Sequence, residues 1–288
     1  MRAFLVRFLH RLNGLYRVLE ALKDAEGRVL DRIERLEQFS ASASWILRTR
    51  LVERHGYLKI LTAKPVAADS PDHLAPWGTA RDNSTNLRFN ARMRAWIPAE
   101  QLRVLDLGCS GGGQVKSFLD QGCYAVGVEG SDFSRRTLRA EWATIPEFLF
   151  TADITEPFSL VSENSGDEPF LFSVITLWEV IEHLRREKLP ALFENIDRHL
   201  APSGVVIMSV SPNSDIVNGV ELHQTIENRD WWLRAVSNLG FTHHQDICDH
   251  FAGDYVRGHD NALDSFHLIL TRNDEEPMFR DRLPRART

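Results

Sequence analysis

The fold class of this chain is decided by the stretch Val104-Leu105-Asp106-Leu107-Gly108-Cys109-Ser110-Gly111-Gly112-Gly113. An apolar pair leads into an acidic residue and a glycine-rich turn, and a helix-compatible stretch follows from Gln114 to Leu119. This order is typical of a buried strand that passes into a helix through a tight turn. Glycines let such a turn approach a ligand closely, and the free N–H groups at the helix start favour an anionic or carboxylate-bearing ligand.

Two further acidic residues stand where the next two strands of such a unit would end. The run Gly122-Cys123-Tyr124-Ala125-Val126-Gly127-Val128-Glu129 ends in Glu129, and Thr151-Ala152-Asp153-Ile154 places Asp153 after a third strand. In open α/β sheets, ligands bind beyond the carboxyl ends of the strands. A dinucleotide-binding fingerprint also expects an acid about 20 residues after its glycines, so Glu129 alone does not discriminate. Gly108 and Gly111 are three residues apart, whereas the first two glycines of that fingerprint are two apart. The fingerprint also has no acidic residue before its glycines, where this chain has Asp106.

Together the three sites resemble those of the class I S-adenosylmethionine-dependent methyltransferases, over roughly Trp96 to Arg272, and the domain looks like the ubiquinone-type or small-molecule O-methyltransferases. Ser110 stands in place of the middle glycine of the family's D-x-G-x-G-x-G turn, which removes the freedom to adopt positive φ. The resemblance implies that S-adenosylmethionine is the cofactor, that Glu129 holds both ribose hydroxyls and that Asp153 accepts from the adenine amino group. The implied cofactor site is Asp106, Gly108, Cys109, Ser110, Gly112, Glu129, Gly130, Asp153, Ile154 and Trp178. A dinucleotide-dependent oxidoreductase and a cofactor-free relative remain the alternatives.

The predicted fold is α/β: a Rossmann-like, seven-stranded, mostly parallel sheet with an antiparallel last strand, plus an N-terminal helical, coiled-coil-like extension. Strands are expected near 103–107, 124–129, 147–152, 171–177, 204–210, 241–247 and 265–271, and helices near 89–97, 113–121, 134–143, 186–199 and 230–238. No helix is expected between the last two strands. The predicted divisions are a helical extension (1–62), a lid or linker with an entry helix (63–100), a methyltransferase domain (101–272) and a flexible tail (273–288).

The N-terminal extension carries apolar residues at spacings of three, four or seven, which predicts an amphipathic helix. These residues are Leu12, Leu15, Leu19, Leu22, Val29, Ile33 and Leu36. Glu26 and Gly27 interrupt the pattern, so the segment is either an imperfect coiled coil or a hairpin of two helices. A break is expected at Ala41-Ser42-Ala43-Ser44, before a second helix from Trp45 to Leu61. A homodimer through these helices and a helix lying on its own domain both remain open. The polar segment 64–86 is interpreted either as an arm over the cofactor or substrate, or as a solvated linker.

A second group of chemically active residues follows the fourth expected strand, in Trp178-Glu179-Val180-Ile181-Glu182-His183. If this turn is helical, Glu179, Glu182 and His183 share a face and could hold a divalent cation. The E-x-x-E-H pattern resembles ubiquinone-type O-methyltransferases and small-RNA 3′-terminal 2′-O-methyltransferases, and the latter add a later histidine at a place comparable to His223. A metal site, a base or substrate contact at His183, and a structural role all remain open.

His183 and His223 are the catalytic candidates, because a hydroxyl acceptor must lose a proton to a histidine or a metal-bound group. Asp230 is the expected N-cap of the following helix, and one residue of the pair Trp231-Trp232 could line a sugar or aromatic acceptor site.

Composition narrows the class of protein. The formal net charge of −6 and the lack of a basic stripe count against nucleic acid as a partner. No apolar run reaches about 18 residues, so no transmembrane segment is expected. Three cysteines without a C-x-x-C pair indicate a reducing compartment, and hence a cytoplasmic protein. The function expected is O-methylation of a small molecule, sugar or glycan. The alternatives are an RNA 2′-O-methyltransferase of the small-RNA terminal type and a non-catalytic cofactor-binding module.

Overall fold

The computed structural model describes residues 2–164, 166–251, 253–257 and 264–283, with side chains from residue 18 onward. The chain divides into two compact units, Met1–Leu47 and Arg48–Thr288. Leu12 and Leu15 of the apolar N-terminal pattern therefore lie outside the described side chains, and residues 284–288 of the predicted tail lie outside the described residues.

The first unit is built from one continuous helix, α1 (Arg2–His55), whose last turns belong to the second unit. The predicted hairpin and the predicted break at 41–44 are both wrong. Gly27 costs a helix only about 1 kcal/mol relative to alanine, so strong helix formers on both sides carry the helix through it. Within this unit an apolar stripe is 45–66% exposed and comprises Leu19, Leu22, Val29, Ile33 and Leu36.

The end of α1 and the segment after it differ from the prediction of a helix to Leu61. Strand β1 (Leu58–Thr62) pairs antiparallel with β5 (Phe158–Ser162), in a two-stranded sheet that the sequence pattern did not indicate. Gly56 ends the helix with a φ of +78°, a conformation that favours glycine. The helical extension therefore stops short of the predicted boundary at residue 62.

The main sheet has seven strands, as predicted: β2 (Arg103–Leu107), β3 (Tyr124–Glu129), β4 (Leu149–Thr151), β6 (Phe172–Trp178), β7 (Leu200–Val210), β10 (Phe241–His243) and β11 (Phe266–Arg272). Their order is β10-β11-β7-β6-β2-β3-β4, and only β11 runs antiparallel to its neighbours. Two short strands, β8 (Ile216–Val217) and β9 (Val220–Glu221), pair separately. Every residue of β3 and β6 is buried, as expected for parallel strands covered on both faces.

The helices are α2 (Pro71–Leu74), α3 (Leu87–Trp96), α4 (Gly113–Leu119), α5 (Phe133–Arg136), α6 (Leu189–His199), α7 (Arg229–Asn238) and α8 (Gln245–Phe251). The expected helix over 134–143 is reduced to α5 and a 3-10 turn at Ala140–Ala143. The prediction of no helix between the last two strands is wrong, because α8 lies there. Ile247 and Phe251, four residues apart, are both fully buried, which is helical rather than strand spacing.

Part of the predicted flexible tail packs against the second unit. The carbonyl oxygen of Met278 accepts from Nε1 of Trp96 at 2.9 Å, and the Met278 amide donates to the carbonyl of Ser203 at 2.8 Å. Leu283 is buried. Up to residue 283, the prediction of a mobile tail is therefore wrong. None of the helices in the described part of the chain has the length and hydropathy needed to cross a bilayer.

Candidate active site

The glycine-rich turn between β2 and α4 depends on backbone conformations that few residues adopt. Gly108 has a φ of +76°, and a Cβ atom there would lie 2.4 Å from Cγ2 of Val180. Ser110 also takes a positive φ, of +49°, contrary to the expectation that serine gives up this conformation. Its amide donates to Oε2 of Glu129 at 2.7 Å, which compensates for the strain of the turn.

Glu129, at the end of β3, is held by backbone donors on both sides. Its Oε1 accepts from the amide of Ser131 at 3.1 Å, while Oε2 accepts from the amide of Ser110. Burial raises the pKa of this carboxyl, and the two amide bonds act in the opposite direction by stabilising the charged form. The carboxylate is thus fixed in orientation, and each oxygen has a further lone pair for a ligand hydroxyl.

A cavity of about 920 Å³ lies beyond the carboxyl ends of β2, β3, β4 and β6. Six of the ten residues predicted to bind the cofactor line it: Gly108, Ser110, Glu129, Gly130, Asp153 and Ile154. The other four do not line it. Asp106 accepts from Oγ1 of Thr176 at 2.7 Å beneath the turn, and burial raises its pKa to about 7. Cys109 packs where a Cβ of Gly127 would stand, Gly112 is the N-cap of α4, and Trp178 is buried among aromatic rings.

The segment 64–86 forms one wall of the cavity. The carbonyl of Lys64 accepts from the amide of Asp153 at 2.9 Å, and the amide of Ala67 donates to the carbonyl of Gly130 at 2.8 Å. The residues of this segment that line the cavity are Lys64, Val66, Ala67, Ala68, Asp69, Ser70, Pro71, Asp72, Trp77, Gly78, Thr79 and Asp82. Of the two interpretations of this segment, these contacts favour the arm over the solvated linker.

At the other side of the cavity, Glu182, His183 and His223 come together. Each offers a ligand atom within 4.8 Å of the others. Nδ1 of His183 lies 2.9 Å from Oδ2 of Asp72, and Nδ1 of His223 lies 2.5 Å from the carbonyl oxygen of Asn213. The two imidazole rings, 4.6 Å apart between centroids, are therefore each oriented by a hydrogen bond at Nδ1, which leaves Nε2 available.

The charges of this cluster are strongly perturbed. Glu182 is fully buried: its Oε1 accepts from the amide of Ser211 at 2.8 Å, and its Oε2 has no hydrogen-bond partner in the described part of the chain. Burial, with a contribution from Glu179, raises the pKa of Glu182 to about 8. Burial alone would lower the pKa of His183, but its hydrogen bond to Asp72 raises that pKa to about 9. Burial lowers the pKa of His223, so that ring is neutral at pH 7.

Glu179 does not join this cluster, so the prediction that it shares a helical face with Glu182 and His183 is wrong. The backbone of Glu179 has a φ of +52°, and only a 3-10 turn at Ile181–His183 follows it. Its amide lies 3.2 Å from the carbonyl of Ser209, which prolongs the pairing of β6 with β7. Its Oε2 accepts from Oγ of Ser265 at 3.0 Å. Glu179 still lines the cavity, but its carboxylate is directed to a different partner.

The aromatic residues proposed for an acceptor site do not line the cavity. Trp232 is fully buried, and the guanidinium of Arg186 lies 4.8 Å from the ring of Trp231. Asn228, rather than Asp230, caps α7 by accepting from the amide of Trp231 at 2.9 Å. The tryptophan that does line the cavity is Trp77, which is 46% exposed. The sequence places Trp77 in the possible arm, but the lack of periodicity around it gave no reason to assign it to an acceptor site.

Comparison with known proteins identifies the family. A family model described as a methyltransferase domain matches residues 70–251, which is more than half of the chain. The chain belongs to this family. It is an S-adenosylmethionine-dependent methyltransferase, and the oxidoreductase alternative is thereby removed. No curated protein sequence matches the chain significantly.

Solved structures of methyltransferases are similar to this chain. The glycopeptide N-methyltransferase MtfA complexed with S-adenosylmethionine is 14% identical, with 65% of this chain and 87% of that chain covered and a TM-score of 0.42. An amino pentose methyltransferase from Micromonospora echinaspora, involved in calicheamicin biosynthesis, is 17% identical, with 69% and 95% covered and a TM-score of 0.44. An S-adenosylmethionine-dependent methyltransferase from Mesorhizobium loti is 17% identical, with 63% and 96% covered and a TM-score of 0.41.

The residues of the cavity fit the cofactor of this family. The turn at Gly108 has no room for a side chain, and Glu129 presents a pre-oriented carboxylate beside it. Nine acidic and four basic residues are found among the described residues that line the cavity, so its wall suits a sulfonium cation. When bound, S-adenosylmethionine supplies an already activated methyl group.

Proposed function

We propose that this methyltransferase methylates a hydroxyl group on a small, sugar-like or glycan acceptor. Glu129 accepts hydrogen bonds from the two ribose hydroxyls of the cofactor, and Asp153 accepts from its adenine amino group. Because the methyl group arrives activated, the protein has two tasks: to align the acceptor, and to remove its proton. The cluster of Glu182, His183 and His223 is suited to the second task, since both histidines face the cavity.

We further propose that this cluster binds a divalent cation. The observation that carries the proposal is the convergence of three ligand atoms within 4.8 Å, each on an oriented side chain. Asp72 and the carbonyl of Asn213 hold Nδ1 of the two histidines, as the outer partners of metal-ligating histidines commonly do. Two imidazole nitrogens and a carboxylate suit zinc or manganese better than calcium. A divalent cation at this place would polarise an acceptor hydroxyl.

The metal-free alternative assigns proton removal to a histidine alone. In that case His223 is the better base, because it is neutral at pH 7 and its Nε2 is available. His183 is less suited to this role, because the hydrogen bond to Asp72 raises its pKa to about 9 and keeps the ring charged. The two alternatives differ in their response to chelators.

The charge of the cavity supports a neutral acceptor over RNA. A polyanion would face the nine acidic residues of the wall, and repulsion between like charges would oppose its binding. Near His223 the wall carries uncharged polar side chains, namely Asn213, Ser214 and Gln224, which can pair with acceptor hydroxyls. A small-RNA 2′-O-methyltransferase therefore stands as the second candidate, supported by the spacing of Glu182, His183 and His223.

The test is a methyl-transfer screen with radiolabelled cofactor across sugars, glycans, quinols and short RNA, with and without chelator. We expect transfer to a hydroxylated sugar or glycan, its loss on chelation, and its recovery with manganese or zinc. Transfer to RNA alone would select the second candidate. Transfer that is indifferent to chelator would remove the cation and leave His223 as the base.

We also propose that α1 pairs with a second copy of itself. The exposed stripe of Leu19, Leu22, Val29, Ile33 and Leu36 has the three-, four- and seven-residue spacings of a coiled coil, interrupted once at Glu26. With those residues at the interface, Arg32 and Glu37 occupy flanking positions that face each other between two parallel helices in register. This opposite charge favours a second, parallel copy as the partner.

A further inference from the structure

The segment that follows α8 is firmly attached next to the cavity. Asp254 is fully buried, and its oxygens lie 3.1 Å from Nε of Arg88 and 2.5 Å from Nε of Arg92. The ring of Tyr255 stacks on that of His267 with 3.3 Å between centroids, and its carbonyl accepts from Nδ2 of Asn86 at 2.9 Å. The backbone just before Arg257 is therefore fixed from both sides.

Arg257 extends from this segment to the end of β6 and to the arm. Its Nη1 donates to the carbonyl of Trp178 at 2.9 Å, and its Nη2 is paired with the carboxylate of Asp82. Its Nε is buried and has no hydrogen-bond partner among the described residues. Since a guanidinium carries five N–H donors, several remain free for a ligand in the cavity that Arg257 lines.

The position of Arg257 is opposite to the proposed adenine site. Asp153 follows β4 and Trp178 ends β6, and these strands are three places apart in the sheet. With neighbouring strands about 4.8 Å apart, that separation is about 14 Å. Glu129, the proposed ribose partner, lies between them. The methionine part of an extended cofactor would then lie toward Gly108 and Arg257.

The charged residues that line the cavity favour a cation at the position of Arg257. Among the described residues that line the cavity, Lys64, Arg185, Lys188 and Arg257 are basic. Lys64 and Lys188 adjoin Glu156, and Arg185 follows the His183 cluster, whereas Arg257 contacts Trp178 and Asp82. Asp82, Glu129 and Glu179 also line the cavity, so Arg257 balances acidic residues that would otherwise oppose the binding of a ligand carboxylate.

We propose that Arg257 binds the carboxylate of the cofactor's methionine moiety, with Asp82 as a positioning residue that holds the guanidinium in place. This inference rests on the proposed placement of the ribose at Glu129 and the adenine at Asp153. The planar guanidinium matches a carboxylate with two parallel hydrogen bonds, whereas the compact charge of lysine does not.

The test compares S-adenosylmethionine with decarboxylated S-adenosylmethionine by isothermal titration calorimetry. The two ligands differ only in the carboxylate and share the sulfonium and the adenosine. Wild type is expected to prefer the carboxylated ligand by about 10- to 100-fold, the range for a lost charge-assisted hydrogen bond. Arg257→Ala should lower affinity for S-adenosylmethionine by that factor, leave affinity for the decarboxylated ligand within about twofold, and so abolish the preference.

Arg185→Ala is the matched control, because it removes a different cation from the cavity wall and should keep the wild-type preference. Arg257→Gln, which preserves a donor toward the Trp178 carbonyl, serves if the alanine variant fails to fold. An equal loss of affinity for both ligands, or a preference that survives in the variants, would overturn the role of Arg257. If wild type binds neither ligand, the proposed function fails instead.

Discussion

The two sides of the cavity are assembled in different ways. The side that we assign to the cofactor is built from the ends of β2, β3 and β4, which are neighbours in the sheet and follow one another along the chain. The side that we assign to the acceptor joins Asp72 of the arm, Glu182 and His183 after β6, and His223 after β9. The first depends on backbone geometry at strand ends, and the second on side chains brought together from distant segments. Motifs can therefore identify the first but only part of the second.

The largest effect is expected on the acceptor side. Glu182→Gln removes a ligand charge without changing the shape of the side chain. It should lower the rate of methyl transfer by about 10²–10⁴-fold, with affinity for S-adenosylmethionine unchanged within about twofold. Binding of Mn²⁺, measured by calorimetry, should be lost as well.

The matched variant is Glu179→Gln, four residues from His183 in the same motif. Because the Glu179 carboxylate accepts from Ser265 and lies outside the cluster, we expect Mn²⁺ binding to persist in this variant. Equal damage from the two substitutions would restore the four-residue ligand set that the motif predicts, and would show that the turn rearranges around the ion.

A smaller effect is expected on the cofactor side. Glu129→Ala removes the carboxylate that we assign to the ribose hydroxyls, a loss of about 1.5–3 kcal/mol. Affinity for S-adenosylmethionine should fall by about 10- to 100-fold in calorimetry, while Mn²⁺ binding is retained. Unchanged affinity would remove the ribose assignment, and so would a wild-type protein that prefers NAD.

The two sides of the cavity also differ in how much of their structure could be predicted from the sequence. The strand ends at Asp106, Glu129 and Asp153 were predicted because each follows an apolar run directly. The conformation of Ser110 could not be predicted, because its positive φ is stabilised by a hydrogen bond to Glu129, nineteen residues away. Likewise Glu179 was grouped with Glu182 because helical spacing was assumed, whereas pairing with Ser209 holds its backbone outside any helix. Tertiary pairing outweighed local spacing at both places.

The roles of Asp72 and Trp77 could be predicted even less from the local sequence, because they depend on tertiary packing. Both belong to the arm, where the sequence lacks periodicity and gives no local reason to assign either residue to the acceptor site. Their roles arise only when the arm packs against Gly130 and Asp153 through backbone hydrogen bonds. The acidic residue that orients His183 could not have been chosen from the sequence, because several aspartates in the arm are equivalent without the fold.

A moderate effect is expected when the link between the arm and the acceptor side is cut. Asp72→Asn keeps an oxygen near Nδ1 of His183 but removes the charge. Outer partners of ligating histidines typically change metal affinity by 10–100-fold, and the conservative variant should fall near the lower end, at about tenfold. Calorimetry with Mn²⁺ measures this, and unchanged affinity for S-adenosylmethionine is the internal control. A loss of cofactor affinity instead would mean that Asp72 acts by placing the arm.

The smallest effect on catalysis is expected from removing most of α1. The second unit retains its own anchors to the last turns of this helix, including buried Leu51 and the bond from Arg48 to the carbonyl of Thr144 at 3.3 Å. Deleting residues 2–40 should therefore leave a folded protein that binds S-adenosylmethionine with wild-type affinity within about twofold, because none of the described side chains of residues 18–40 lines the cavity. Sedimentation should show a dimer for the full chain and a monomer for the deletion.

The parallel arrangement of the two copies of α1 is tested by charge reversal. Arg32→Glu should weaken the dimer, and adding Glu37→Arg should restore it. A full-length chain that sediments as a monomer would leave the apolar stripe without the partner we assign to it. An unfolded deletion product would instead show that the first unit stabilises the second.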